Sequence, residues 1–332
     1  MDLPKSWRRS AVSVGTLLFA IMALAANPAH AQAWPAKPIR LVAPFPPGSS
    51  IDIIARLIAS PMGDALGQTV VVENKVGAGG NVGVDFVVKS PKDGYTIGIG
   101  ARGPLAINSF LVDNMPYDPL KDVAPIALFG SSAIVLLVSS EFPSRTIQEF
   151  VAAAKSNPGK YNYGSTGIGS TNHLGGEVLK KAGSLDLVHV PYKGTQEALL
   201  GLLQGDIHIF PAGLPPLLGQ LKAGKIRALA VSDQQRLPQI PDVPTVAEVG
   251  LAGAEMSAWF AMFAPAGTPP EVIVKLRDAL GTALAKPEVR NRLIADGITP
   301  QLSTPGELDK LMRDEHATWG AVIKASSIRK TN

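Results

Sequence analysis

Short apolar runs alternate along the chain with segments whose apolar residues recur at helical spacing. The run from Ile39 to Ala43 predicts a buried strand. In the segment that follows, apolar residues recur on one helix face, namely Ile51, Ile54, Leu57 and Ile58. Further strands are predicted at 70–73, 95–99 and 134–138, with a helix through Val88 after the glycine-rich turn at 77–80. Strands that alternate with helices in this way favour α/β layers over a β-sandwich.

Three helix starts are predicted by capping boxes, in which a threonine hydroxyl and a carboxylate three residues later satisfy free backbone amides. The pairs are Thr146 with Glu149, Thr268 with Glu271, and Thr304 with Glu307. The chain also contains 33 glycines and 28 prolines, which indicate many sharp connections between short elements.

Two stretches combine a strand, a glycine-containing turn and the start of a helix. They are VAPFPPGSSID at 42–52 and YGSTGIGSTNH at 163–173. Each brings free backbone amides, the positive end of a helix dipole and several hydroxyls together, as in helix N-termini that bind anions. A turn glycine followed by an ordinary helix cap also explains either stretch alone. Two such stretches in one two-domain chain favour a shared anionic ligand.

The first thirty residues have the three parts of a secretory signal peptide. A basic head at 5–9 precedes an uncharged apolar run of 16 residues from Ala11 to Ala26, and Ala29-His30-Ala31 follows. The run is shorter than the ~20 residues that a membrane-spanning helix needs, so an uncleaved anchor is the weaker alternative. We predict a cleaved signal peptide at 1–31, and cleavage after Ala31 or after Ala33 fits equally well.

The chain has 332 residues and contains no cysteine. An exported chain without cysteine has no disulfide, no thiol-ligated metal and no lipid anchor at its cleavage site. We therefore expect a periplasmic protein that is not lipidated. The remainder after the signal peptide is long enough for two domains of ~150 residues each. Lysine and arginine form no cluster interleaved with aromatic residues, so no nucleic-acid partner is expected.

The sequence offers little that could support catalysis or a cofactor. Residues 98–103 match the dinucleotide pattern G-x-G-x-x-G, but Pro104 follows directly and no acidic residue closes a second strand ~20 positions later. The histidines lack paired metal-ligand spacing, and no G-x-S-x-G elbow occurs. We expect no cofactor, no metal and no enzyme. A secreted serine hydrolase that uses Ser165 or Ser170 is kept as an alternative.

With the motifs that follow them, the two stretches resemble the Bug-type solute receptors of tripartite tricarboxylate transporters. The matching motifs occur in order along the chain: PFPPG at 44–48, GAGGN at 77–81, DGYT at 93–96, VPYKG at 190–194 and PDVPT at 241–245. The resemblance implies a periplasmic binding protein type II fold, an α/β fold with two lobes of mixed sheets, two crossover strands and a ligand in the interlobe cleft. It implies a first lobe of 34–133 and 257–332 and a second lobe of 134–256.

The implied function is a periplasmic receptor that captures a small carboxylate and delivers it to the membrane subunits of such a transporter. Mono- and dicarboxylates are both compatible, aromatic acids included, and the receptor is expected to be a monomer. A second alternative is a binding module of the same kind that signals to a membrane kinase. The segment FPAG at 210–213 stands where many relatives place an aspartate just after the phenylalanine, which favours an acid without an amino group.

The resemblance also assigns ligand-binding roles to fourteen positions. In the first lobe they are Phe45, Gly48, Ser49, Ser50, Asp52 and Asn81, and in the second lobe Ser165, Thr166, Ser170, Thr171, His173, Tyr192, Lys193 and Gly194. Two of these roles stay open at the sequence level. Asp52 could only close a capping interaction with Ser49, and His173 is either a donor to the ligand or a support for its loop.

Overall fold

The computed structural model describes residues 34–325, so the predicted signal peptide lies outside the described residues. From Lys37 onward the chain forms one compact unit, to which all of the following refers. Within the described range, no helix has both the length and the apolar character that crossing a bilayer requires.

The described chain alternates ten strands with helices. The strands are β1 (Ile39–Ala43), β2 (Val70–Asn74), β3 (Thr96–Ala101), β4 (Val123–Ser139), β5 (Tyr161–Ser165), β6 (Leu187–Pro191), β7 (Phe210–Gly213), β8 (Ile226–Ser232), β9 (Ser257–Pro265) and β10 (Ile298–Pro300). The α-helices are α1 (Ser50–Leu66), α2 (Asn81–Val88), α3 (Ile147–Ser156), α4 (Thr171–Gly183), α5 (Thr195–Gln204), α6 (Leu218–Lys222), α7 (Pro270–Ala285), α8 (Pro287–Ala295) and α9 (Pro305–Ala325). Single turns of 3₁₀ or π-helix lie at Ala78–Gly80, Gly103–Ile107 and Asn108–Phe110.

The strands form mixed sheets. One sheet has the order β10-β4-β9-β3-β1-β2, in which β1 runs parallel to β2 and β3 while β9 runs antiparallel to β3 and β4. Strands β7 and β8 also pair antiparallel with β4, and β5 and β6 form a parallel pair. We call the part built on β1–β3, β9 and β10 the first lobe, and the part built on β5–β8 the second lobe.

Strand β4 is shared by the two lobes. Its residues up to Ala133 pair with β9 in the first lobe, and its residues from Ile134 pair with β7 and β8 in the second. The chain returns beside this strand, where the Met256 amide donates to the Ser232 carbonyl at 2.9 Å. The predicted α/β architecture with two lobes and two crossings is therefore confirmed.

In the second lobe, alternate residues of β4 face two separate cores, as the two-residue period of a strand requires. Leu136 and Val138 pack with the α3 side, whereas Val135 and Leu137 pack with the α5 side. All four side chains are buried, so the strand is fixed on both faces. This packing holds the loops at the strand ends, where the candidate site lies.

One of the predicted capping boxes is wrong. The Thr146 and Thr304 hydroxyls do accept from the amides of Glu149 and Glu307, each at 3.2 Å. Helix α7 instead begins at Pro270 with Pro269 as its cap, and the Thr268 hydroxyl donates to the Pro265 carbonyl at 2.7 Å. The two prolines move the helix start one residue further along, so the threonine closes a turn instead of capping the helix.

Candidate functional site

The N-termini of three helices line one cavity between the lobes. Helix α1 comes from the first lobe, and helices α4 and α5 come from the second. The cavity has a volume of about 60 Å³, and the helix starts contribute Ser49, Ser50, Ile51, Thr171, Asn172, Gly194 and Thr195 to its wall. Both stretches singled out in the sequence therefore open onto the same space, with α5 as a third contributor.

The local sequence leaves backbone amides free at this cavity. The Ser49 hydroxyl caps α1 by accepting from the Asp52 amide at 3.3 Å, and the Ser170 hydroxyl caps α4 by accepting from the His173 amide at 3.3 Å. The two amides between each cap and its partner, at 50–51 and 171–172, have no acceptor among the described residues, as expected in a first helical turn. These donors face a space that an anion can occupy.

The rest of the wall is mostly apolar, and none of the described residues that line the cavity is ionisable. The apolar side consists of Phe45, Pro46, Ala101, Ile134, Pro216, Ala258 and Phe260. The polar side adds Thr166 to the hydroxyls of the helix starts, and Gly213 completes the wall. The cavity thus offers neutral hydrogen-bond donors on one side and an apolar surface on the other.

Asp52 holds the loop before α1 in place from a position outside the cavity wall. Its carboxylate accepts from the Gly48 amide at 2.9 Å and from the Asn74 side chain at 2.9 Å, and it pairs with Arg56 at 2.9 Å. Burial raises the pKa of Asp52, but the hydrogen bonds from Arg56, Gly48 and Asn74 and the charge of Arg56 outweigh burial and hold the pKa below its ordinary value. Asp52 is 3% exposed and serves the turn instead of the cavity wall.

Replacement of Asp52 by asparagine is expected to lower the free energy of unfolding by about 1–3 kcal/mol, because an amide has one oxygen in place of two and cannot accept from the Gly48, Asn74 and Arg56 donors together. Asp64→Asn is the matched control, since Asp64 also lies on α1 and pairs with Lys286, but its side chain is 66% exposed. An exposed ion pair contributes only about 0–1 kcal/mol. Urea unfolding of both variants measures the difference, and equal losses would contradict the anchoring role.

A stack of three rings supports the second loop. Tyr163, His189 and His173 lie face to face, with ring centroids 4.9 Å and 4.2 Å apart. The Ser165 hydroxyl lies 2.6 Å from His189 Nε2, and His173 Nδ1 accepts from the Gly169 amide at 3.1 Å. Burial lowers the pKa of His173 to about 4 and that of His189 to about 3, so both imidazoles are neutral at neutral pH. Neutral His173 can therefore accept the loop amide.

A second cavity of about 520 Å³, here called the mouth, lies beside the first cavity and shares Phe45 and Thr166 with it. The mouth is lined by 77–80 of the first lobe and by 166–168 and 191–193 of the second. The mouth therefore lies between the lobes, directly beside the cavity.

The structure sorts the fourteen predicted site residues into three groups. On the cavity wall lie Phe45, Ser49, Ser50, Thr166, Thr171 and Gly194. At the mouth lie Tyr192 and Lys193. Outside both walls lie Gly48, Asp52, Asn81, Ser165, Ser170 and His173.

Sequence reasoning missed Asn172, Thr195 and Gly213 as wall residues. Asn172 accepts from the Thr166 hydroxyl at 2.8 Å and donates to the Pro211 carbonyl at 2.7 Å, so it ties its loop to β7. Thr195 is the first residue of α5, and the glycine at 194 before an apolar periodic segment was the available signal for that helix start. The approach of Gly213 depends on tertiary packing and leaves no local signal.

The serine hydrolase alternative does not fit this geometry at either serine, since Ser170 is 1% exposed and its hydroxyl caps α4. Ser165 lies next to a histidine, but it is 0% exposed and its hydroxyl also accepts from the Gly167 amide at 3.1 Å. The hydroxyl is therefore held inside the loop and does not face the cavity in which a substrate would bind.

Comparison with known proteins matches residues 54–328 to the family described as the tripartite tricarboxylate transporter family receptor. Protein BugT of Bordetella pertussis is 34% identical over 313 residues, which cover 94% of this chain and 96% of BugT. The solved structure of Rpa4515 of R. palustris with adipate is 34% identical, with a TM-score of 0.86, over 90% of this chain and 100% of that chain. The structure of MatC from Rhodopseudomonas palustris with bound malate is 32% identical, with a TM-score of 0.83, over 87% and 100%.

These similarities confirm the predicted family and, with it, the periplasmic binding protein fold. The family consists of substrate-binding receptors and not of enzymes, as expected from the sequence. The chain belongs to the tripartite tricarboxylate transporter receptor family and is a Bug-type periplasmic solute receptor.

Proposed function

We propose that this receptor captures a small carboxylate without an amino group in the periplasm and delivers it to the membrane subunits of a tripartite tricarboxylate transporter. The observation that carries the proposal is the meeting of three helix N-termini at one cavity without ionisable side chains. The adipate and malate complexes of its relatives support the ligand class. The proposed lobes are 34–133 with 257–332, and 134–256.

Neutral donors are sufficient for useful affinity. A hydrogen bond from a neutral amide or hydroxyl to a carboxylate contributes about 1.5–3 kcal/mol, and each helix dipole adds about 0.3–1 kcal/mol. Four or five such bonds, less the cost of ordering ligand and lobes, reach the ~8 kcal/mol of micromolar binding. An arginine would add affinity, but it would also slow the release that a transport cycle needs.

The neutral wall also sets the chemical class of the ligand. A ligand ammonium group buried in this cavity would meet no carboxylate among the lining residues, and an unpaired buried charge costs several kcal/mol. The apolar side formed by residues such as Ile134 and Phe260 suits the carbon skeleton of the acid. We therefore expect plain or hydroxylated acids to bind, and amino acids of the same length to bind far more weakly.

A thermal-shift screen tests this assignment with propionate, benzoate, malate, adipate, alanine and aspartate. Saturation at about 100 times the dissociation constant adds about 2.7 kcal/mol of stability, which corresponds to a rise of several degrees in melting temperature. We expect such a rise with at least one acid that lacks an amino group. A response to aspartate or alanine alone would overturn the ligand class, and no response to any acid would count against the carboxylate receptor.

Loss of the Thr171 hydroxyl is expected to weaken acid binding about 10- to 100-fold, because Thr171 lines the cavity at the start of α4 and a hydrogen bond to a carboxylate contributes about 1.5–3 kcal/mol. Ser49→Ala should weaken binding similarly and also cost about 1 kcal/mol of stability, since Ser49 caps α1. Thr282→Ala on α7 is the matched control, because its hydroxyl bonds only within its helix. Calorimetric titration with the best acid of the screen measures all three, and wild-type affinity of Thr171→Ala would contradict this placement.

A further inference from the structure

Away from the ligand cavity, the two lobes also touch through glycines. A Cβ atom built on Gly79 would overlap the Ile168 carbonyl oxygen, and one built on Gly103 would overlap the Gly169 carbonyl oxygen. Gly79 and Gly103 belong to the first lobe, and 168–169 belong to the second. Backbone therefore meets backbone at this contact between the lobes, which we call the seam and which consists of Gly79, Gly103 and 168–169. A side chain larger than hydrogen at either glycine would prevent the contact.

A buried amide completes the seam. Asn108 is 0% exposed, and with its amide oriented so that the nitrogen is satisfied, that nitrogen donates to the Gly169 carbonyl at 2.9 Å and the Gly103 carbonyl at 3.2 Å. On the other side, the Gly169 amide donates to His173 at 3.1 Å. Gly169 is thus held at its carbonyl by the first lobe and at its amide by the second.

The position of Gly169 links this seam to the ligand. The next residue, Ser170, caps α4, and the amides at 171–172 then face the cavity. Asn108 itself lines neither the cavity nor the mouth. We propose that Asn108 is a positioning residue that couples lobe closure to the orientation of the second-lobe amides, and so slows ligand release without touching the ligand. This inference rests on the proposed function.

The kinetic test uses Asn108→Asp, which keeps the shape but places a carboxylate against two carbonyl oxygens. We expect the dissociation rate of malate or adipate to rise about tenfold or more, with a much smaller change in the association rate, since a buried unsatisfied polar group costs about 1–3 kcal/mol. Tyr117→Phe is the matched control, because its hydroxyl contacts Asn81 and Pro104 of the first lobe but not Gly169. Wild-type dissociation from Asn108→Asp, or an equal effect of Tyr117→Phe, would overturn the inference.

A second variant, Gly103→Ala, keeps the inference testable if Asn108→Asp does not fold. In this proposal the seam forms on lobe closure, so the added methyl group opposes closure by its overlap with the Gly169 carbonyl. The unliganded melting temperature should then stay within a few degrees of the wild type while the ligand-induced rise is lost. A fall in the unliganded melting temperature comparable to the lost ligand response would indicate a merely structural role and reject the inference.

Closure can also be measured without any ligand. Because the chain has no cysteine, Val274→Cys and Leu200→Cys place one fluorophore on each lobe at side chains that are 53% and 54% exposed. Energy transfer between the dyes is measured in three conditions: unliganded protein, protein with malate, and protein with adipate. Gly103→Ala should lower it in at least one of them. Unchanged transfer in all three conditions would reject the seam. Reduced transfer together with no acid response from the wild type would reject the proposed function and retain the seam.

Discussion

Replacing Thr171 by aspartate is expected to abolish the binding of external acids while it raises the stability of the unliganded protein. Thr171 is the first residue of α4 and lines the cavity. A carboxylate at this position occupies the free amides of its own helix N-terminus and interacts favourably with the dipole, by about 0.3–1 kcal/mol. The same carboxylate repels a second anion in the same cavity, so the affinity for an acid should fall about 100-fold or more.

Thr171→Asn is the matched control for this experiment, because it has the size and shape of aspartate without the charge. It should keep part of the affinity and leave the melting temperature close to that of the wild type. Calorimetric titration and thermal unfolding at pH 7 measure both effects. If Thr171→Asp bound an acid as tightly as Thr171→Asn, the cavity would not be the anion site.

The fold could be predicted well from the sequence because its main signals are local. The apolar run at 39–43 and the periodic residues after it became β1 and α1, and the two glycine-containing stretches became the loops before α1 and α4. The predicted strand at 134–138 proved to be one part of a 17-residue strand. Its first part has no continuous apolar signal, since Pro125, Gly130 and Ser131 interrupt the pattern, and pairing with β9 decides its conformation.

The site could be predicted only in part, because the loops are visible in a sequence but the direction of each side chain is not. Ser165 and Thr166 are neighbours with similar hydroxyls, and both were expected to face the ligand. Successive side chains at a strand end point to opposite sides, so Ser165 faces His189 while Thr166 faces the cavity. The register of the last strand residue determines which of the two hydroxyls faces the cavity, and tertiary packing sets that register.

The sequence alone also could not decide the role of the Asp52 charge. Asp52 stands in a ligand loop, and a carboxylate there could bind a ligand amine or hold the turn. The structure places Arg56 and Asn74 within 3.0 Å of it, one from the same helix and one from the end of β2. A contact between residues 22 positions apart is a property of the fold, and only the fold shows that this charge is satisfied before any ligand arrives.

The stability of this protein is expected to fall steeply between pH 6.5 and pH 4.5. Burial depresses the pKa of His173 from 6.5 to about 4 and that of His189 from 6.5 to about 3. In this window the unfolded chain binds protons that the folded chain does not, so stability rises with pH and is lost as the pH falls below 6.5. Each buried imidazole accounts for roughly 2–3 kcal/mol at pH 4.5, at 1.36 kcal/mol for each pH unit.

Carboxylates with depressed pKa values act in a separate window. Those of Asp52 and Glu73 lie below the ordinary values of 3.8 and 4.5, so their contribution to stability is lost mainly at pH values lower than these. The loss between pH 6.5 and pH 4.5 therefore reports histidines, less an opposite contribution from Glu315, whose pKa burial raises above its ordinary value of 4.5. Besides the stacked pair, His208 contributes in the same direction, because burial also lowers its pKa.

Urea unfolding at pH 7, 5.5 and 4.5 measures this dependence, and His173→Asn isolates the share of one imidazole. The asparagine oxygen can accept from the Gly169 amide as His173 Nδ1 does, but it does not titrate. We expect this variant to lose less stability between pH 7 and pH 4.5 than the wild type, by roughly 2–3 kcal/mol. An identical pH dependence of the two proteins would show that protonation of His173 does not oppose folding. The neutral ring stack would then not be what fixes the second ligand loop.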